Sequence, residues 1–145
     1  MKKNVLFLIA AILFFACDVH RKDKVADDAS RQMEMAMKDT TSVQMIDSVY
    51  DFGKVTEGEK VEYSFRFKNI GNKPLVVTKT TASCGCTVPE KPERLIQPGE
   101  TNYIKVVFNS KGKSGHNEKT ITVFSNANPP FPELIIKGNI ESKNE

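Results

Sequence analysis

The sequence predicts an all-β domain, an antiparallel sandwich of about seven short strands, standing behind an export signal and a polar tether. Three observations carry this. Lys60–Asn69 (KVEYSFRFKN) alternates Val61, Tyr63, Phe65 and Phe67 with Glu62, Ser64, Arg66 and Lys68, a period of two that a helix would scatter around its circumference. Turn signals built on Gly, Pro and Asn separate short apolar runs from Tyr50 onward. No stretch there is long enough for the helical crossovers of a parallel sheet, which excludes α/β folds. With 145 residues, 39% of them hydrophobic, the chain has room for one domain with one core. Residues 1–16 read as the signal, 17–47 as the tether, 48–142 as the sandwich and 143–145 as a tail.

The elements follow in order. Met1-Lys2-Lys3 is a positive n-region and Val5–Ala16 an unbroken apolar run of about twelve residues, too short to span hydrocarbon of about 30 Å. It fits the h-region of a secretory signal. Ala16-Cys17 and the abruptly polar sequence after it resemble a bacterial lipoprotein signal, in which the Cys becomes the first mature residue and carries the lipid; Phe14 departs from the Leu usual in such signals. The competing reading, a simple signal peptide with a free thiol at the cut, sits poorly with an oxidising compartment. Cysteine arithmetic agrees: three Cys is an odd number for an exported chain, and assigning Cys17 to lipid leaves Cys84 and Cys86 as a pair. Without Lys2 and Lys3 the 21 Lys+Arg become 19 against 18 Asp+Glu, a balance of +1. That balance offers no case for nucleic acid.

Asp18–Met45 holds no aromatic residue, Gly or Pro, and its apolar residues, among them Val25, Val43 and Met45, are too few and scattered for a core. It reads as a tether, helical at Asp28–Lys38. Met33, Met35 and Met37 resemble the Met motifs of periplasmic copper-handling proteins, since thioethers select Cu(I); the plainer reading is Met as a good helix former. Asp39-Thr40-Thr41 and Asp47-Ser48-Val49 resemble an O-glycosylation sequon of one Gram-negative lineage, which marks Thr40 and Ser48 as candidate acceptors.

The expected strands are Val49–Phe52 ended by Gly53, Lys60–Asn69, Leu75–Thr81, Thr101–Asn109, Lys119–Ser125 and Glu133–Ile140. Inward residues include Ile104, Val106 and Phe108, then Ile121 and Val123, then Leu134, Ile136 and Ile140. Pro89 and Pro92 mark a loop after the Cys segment, and Gln97-Pro98-Gly99-Glu100 a turn. Strands at this spacing read as an immunoglobulin-like sandwich. Cys84 and Cys86 are too close in sequence to be the inter-sheet disulfide of an antibody domain, so the sandwich holds by core burial.

Tyr50-Asp51-Phe52-Gly53, Gly58-Glu59-Lys60-Val61, Phe65–Gly71 (FRFKNIG), Ala82–Pro89 (ASCGCTVP), Ile96–Glu100 (IQPGE), Phe108–Gly115 (FNSKGKSG) and Lys119–Asn126 (KTITVFSN) resemble, in this order, the bacterial family catalogued as domain of unknown function family 1573. The resemblance covers nearly all of Tyr50–Gly138. It implies exported, often lipid-anchored proteins with an immunoglobulin-like fold similar to the hydin and major-sperm-protein type of sandwich, a binding module. It implies no activity.

Chemistry has one place to sit. Extended residues i and i+2 have Cα atoms near 6.6–6.8 Å, at the outer limit for a disulfide, and a positive φ at Gly85 would bring the sulfurs of Cys84 and Cys86 together. Four readings stay open: buried small residues or a staple where the chain changes sheet; a Cu(I) or Zn site with His116 as third ligand; a redox-exchange pair; and a Cys nucleophile with His116 as base. His116 is expected on a solvated turn. Lys111, Lys113 and Lys119 form a basic cluster around a turn, and Glu57, Glu59 and Glu62 lack the apolar pocket of an acid/base pair. No phosphate loop, metalloprotease helix or Ser elbow is present. The expectation is a non-enzymatic, lipid-anchored envelope protein, facing the periplasm or the surface of a Gram-negative membrane. Its module binds a protein partner and needs no cofactor; the alternative is Cu(I) binding or thiol redox through Cys84-Gly85-Cys86.

Overall fold

The computed structural model describes residues 19–143. The segment expected to be an export signal, the expected lipidation site Cys17 and the last two residues lie outside the described residues. An α-helix, α1 (Val19–Ala36), covers a longer span than the expected Asp28–Lys38. Among the described residues no helix is long and apolar enough to cross a membrane. The helix and the unit that begins at Ala36 are separate bodies.

Eight strands follow: β1 (Val43–Met45), β2 (Val49–Thr56), β3 (Lys60–Asn69), β4 (Val77–Ala82), β5 (Thr87–Glu90), β6 (Thr101–Asn109), β7 (Gly115–Ser125) and β8 (Leu134–Glu141). They form two four-stranded sheets, ordered β1-β3-β6-β5 and β2-β8-β7-β4. The architecture is the expected immunoglobulin-like sandwich. All pairs are antiparallel except β2 with β8, which run parallel.

The alternation seen in β3 becomes its two faces. Phe65 and Phe67 are fully buried, Val61 nearly so, and Tyr63 is half-buried against the ring of Tyr50 at 3.9 Å between centroids. Ile104, Val106 and Phe108 of β6 pack with them, opposite Ile121, Val123, Leu134, Ile136 and Ile140 of the other sheet. The inner faces of both sheets thus remove apolar surface from water, the main favourable term in folding.

Two buried asparagines join the strand ends. Asn69 Oδ1 accepts from Thr41 Oγ1 and Gly71 N, while its Nδ2 donates to the carbonyls of Lys73 and Ile96. Asn126 Oδ1 accepts from Val76 N and its Nδ2 lies 2.9–3.0 Å from the carbonyls of Ala36, Asp39 and Pro74. Among the described residues no buried side-chain N or O lacks a partner, as low-dielectric burial requires.

Several boundaries differ from expectation. Val43 and Met45, expected in a tether ending at residue 47, pair with Asn69 and Phe67 and pack on the core. Their partners are more than twenty residues away, so no local pattern announces them. Gly53 does not end β2. It sits at φ +68 in a bulge, where Phe52 and Gly53 oppose Gly138 between the Asp51–Lys137 and Lys54–Asn139 pairs. The expected loop at Pro89 is a strand: β5 is a sheet edge, where Pro is tolerated because no inward ladder bond needs its missing N–H. Leu75, expected in a strand, makes an isolated bridge to Ile96.

Candidate functional site

The chain crosses from one sheet to the other between β4 and β5, and Cys84-Gly85-Cys86 is that crossing. The crossing is tied down at both ends. Ser83 N donates to Thr120 O, Ser83 Oγ accepts from Thr120 N, and Asn109 N donates to Cys86 O. Cys84 and Cys86 are joined by a disulfide, with Cα atoms 5.3 Å apart. Gly85 is absent from the glycines with positive φ, so the expected left-handed glycine is corrected. The segment is a bend rather than extended strand, with Thr87 N donating to Cys84 O at 3.3 Å, and this turn shortens the Cα separation below the extended value.

Gly85 and Cys86, the latter also packed on the core, border a groove of about 400 Å³ on the outer side of the β3-β6-β5 sheet. Val88 and Val107, paired neighbours across β5 and β6, line it with Asn109. Lys60 from β3 and Lys111 and Lys113 from the turn after β6 complete the lining. Lys60 stands beside Asn109, its pair in the β3–β6 ladder. Ser110, fully buried, donates from Oγ to the carbonyls of Thr56 and Glu59 and so fixes the turn that carries the lysines. Glu57 accepts from Gly112 N at 3.0 Å, and Glu62 pairs with Lys105 at 3.6 Å. Lys60, Lys111 and Lys113 form no ion pair among the described residues. Three lysines and no carboxylate line the groove around its apolar floor, which gives the lining a net positive charge, with Glu57 nearby on Gly112 N.

Thr87 lies beneath the disulfide and is 4% exposed. Its Oγ1 is 3.5 Å from Cys84 Sγ and 4.0 Å from Cys86 Sγ. Sequence reasoning missed this hydroxyl, since a Thr after Cys carries no pattern of its own.

The other candidate residues do not gather here. His116 is exposed, on β7 rather than on the expected turn, and pairs with Asn139. Thr120, the β7 residue bonded to Ser83, lies four residues further along, roughly 13 Å at the strand rise. The Cys–His juxtaposition that a metal centre or a Cys nucleophile would need is therefore not formed. In the disulfide neither sulfur is the thiolate that a soft metal or a hydrolytic mechanism requires, and among the described residues no group of three metal-ligating side chains converges. Met33 and Met35 lie two apart on α1, about 200° around the helix, so their thioethers point to different faces. Thr40 is exposed and Ser48 half-buried, beside Asp47, whose carboxylate is held by Arg66 N and Nε.

The motif residues outside the Cys segment are used by the fold. Asn69, Asn126 and Ser110 have been described; Gly99, at φ +81, donates to Asn69 O. Glu100 caps the same turn by accepting from Gln97 N, and it pairs with Arg94.

The fold recurs in solved structures. A protein of unknown function from Porphyromonas gingivalis W83 is 18% identical over 69% of this chain and 47% of its own, with a TM-score of 0.59. The ASH / PapD-like domain of human CEP192 is 12% identical over 72% of this chain and 89% of its own, with a TM-score of 0.54. The VesB protease of Vibrio cholerae is 15% identical over 77% of this chain, at 0.51. The chain spans about half the length of the first and 34% of the third, and at these identities the likeness is one of fold. A search of curated proteins finds no match. The model of the family described as "Protein of unknown function (DUF1573)" matches residues 43–140, from the first residue of β1 to the penultimate residue of β8, and with most of its length inside that match this chain belongs to the DUF1573 family.

Proposed function

We propose that the chain is a lipid-anchored protein of the bacterial cell envelope whose immunoglobulin-like module is non-catalytic and binds an extended segment of a protein partner by strand addition. One observation carries the binding mode. The terminal strands β4 and β5 close their two sheets on the same side, each with one backbone edge outside the ladder. Thr80 Oγ1 bridges them by donating to Pro89 O at 3.3 Å. A groove of about 580 Å³ runs between them, lined by Thr78, Lys79, Thr80, Pro89, Glu90, Lys91 and Glu93. Free edge N–H and C=O groups are a template for another strand, and the mixed charges along the groove give a partner peptide polar contacts. The anchor rests on the sequence: the Val5–Ala16 run followed by Ala16-Cys17.

Photo-crosslinking residues placed at Thr78 and Glu90 in living cells test the binding mode, with the same residue at Lys137, on β8, as control. A discrete protein adduct at both edge positions, absent at Lys137 and abolished by Thr80→Pro, is the expected result. No adduct at the edge, or an equal one at Lys137, ends the proposal. Acyl mass on Cys17 in the intact protein, and release from the membrane by Cys17→Ser, test the anchor.

A further inference from the structure

The Cys84–Cys86 disulfide has the surroundings of an exchange centre. Cys86 lines the electropositive groove whereas Cys84 does not. Cys84 Sγ has the nearer contact with the Thr87 hydroxyl. The two cysteines are therefore placed differently: Cys86 belongs to the groove lining and also packs on the core, whereas Cys84 Sγ has the closer contact with the buried Thr87 hydroxyl. The attacking species in thiol–disulfide exchange is a thiolate, and the better the departing thiolate is stabilised, the faster it leaves.

We propose that this disulfide is a thiol-exchange site that accepts an anionic, dithiol-bearing protein segment, attacked at Cys86 with Cys84 as the leaving group. The incoming thiol loses its proton to solvent, and its thiolate is drawn to Lys60, Lys111 and Lys113. Its sulfur bonds to Cys86 Sγ as the Cys86–Cys84 bond breaks, and the electron pair passes to Cys84 Sγ, which accepts a hydrogen bond from Thr87 Oγ1. The partner's second thiolate then attacks its own sulfur in the mixed disulfide and expels the Cys86 thiolate. Both cysteine thiolates take protons from water. The partner dithiol is oxidised to a disulfide and the Cys84–Cys86 pair is reduced by the same two electrons. Val88 and Val107 form the apolar floor on which the segment rests.

This site lies outside the strand-addition groove proposed above and stands or falls separately. The test uses the full chain, alkylated without reductant so that any free Cys17 thiol is capped. Opening rates are measured with 3-mercaptopropionate, an anionic thiol, and cysteamine, a cationic one, each corrected for its thiolate fraction. At low ionic strength the anionic thiol is expected to react about tenfold faster, and the preference to shrink as salt screens the lysines. The triple variant Lys60→Gln, Lys111→Gln, Lys113→Gln is expected to lose the preference, whereas Lys137→Gln on the other sheet keeps it. Acid-quenched peptide maps should place the first adduct on Cys86. Thr87→Val, checked for native folding by its thermal midpoint, should slow both thiols. Equal rates for the two thiols, a preference that survives the triple variant, or a first adduct on Cys84 would overturn the proposal.

Discussion

Phe52 lies across Gly138: a Cβ built on Gly138 would stand 2.3 Å from Phe52 Cδ2 and Cε2 and 2.8 Å from the Gly53 carbonyl oxygen. The β2 bulge sets this contact by turning the half-buried Phe52 ring over the glycine and toward Phe108, 5.8 Å away between centroids. Gly138→Ala is therefore expected to destabilise the domain by about 1–3 kcal/mol through overpacking. Urea unfolding checks it, and a loss under about 0.5 kcal/mol, the level of an ordinary surface substitution, would show that the ring moves freely aside.

Asn126 is the second point of control. Removing its amide in Asn126→Ala leaves Val76 N and the carbonyls of Ala36, Asp39 and Pro74 without these bonds. The expected loss is about 2–3 kcal/mol, the cost of stranded buried polar groups. The same urea experiment decides it, and wild-type stability would mean that water replaces the amide.

Phe67 is fully buried and meets Phe131 edge-on at 5.1 Å between centroids. Phe67→Ala is expected to cost about 3–5 kcal/mol. The lost volume lies where β1, β3 and the segment before β8 meet, so hydrogen exchange should rise first in β1, the three-residue edge strand paired to Phe67.

Acid should weaken one turn. The Arg94 side chain, and then Gln97 N–H, hold the Glu100 carboxyl below its usual range. A depressed carboxylate contributes stability that is fully present above the unfolded-state value of about 4.3 and is lost as pH falls through the folded-state value. Glu100→Gln should flatten the acid limb of the stability profile below about pH 4 and leave its shape above pH 5 unchanged. An unchanged acid limb would count against the pairing. Arg94 is mostly exposed, so the effect is small.

The disulfide should matter little to stability. It closes a loop of three residues, for which the chain-entropy relation gives only about 1.6 kcal/mol. Cys84→Ser with Cys86→Ser is expected to leave a folded sandwich with a modestly lower urea midpoint. Global unfolding of that variant would make the bond structurally essential.

The period-two run of β3 and the alternating apolar residues of β6, β7 and β8 were readable because a strand with one buried face writes its pattern locally. β1 was not readable: three residues carry no period, and Val43 and Met45 gain their burial from β3. β5 was hidden by Pro89, which a sheet edge accepts and a central strand would not. Gly53 read as a stop and is a bulge, because whether a chain resumes its strand depends on the partner across the ladder. At the candidate site, Cys84, Cys86, Lys111 and Lys113 were visible as residue types. Lys60 sits about fifty residues before the turn lysines, and only the β3–β6 register places it with them.

By itself the sequence determined an all-β sandwich and singled out Cys84 and Cys86 as a pair, because alternation and short spacings act over neighbouring residues. The tertiary structure decided the rest: the parallel pairing of β2 with β8, the separation of His116 from the cysteines, the three lysines around Cys86 and the threonine hydroxyl behind Cys84. Those relationships join residues distant in the chain, and they exist only once burial of the two inner faces fixes the register of every strand.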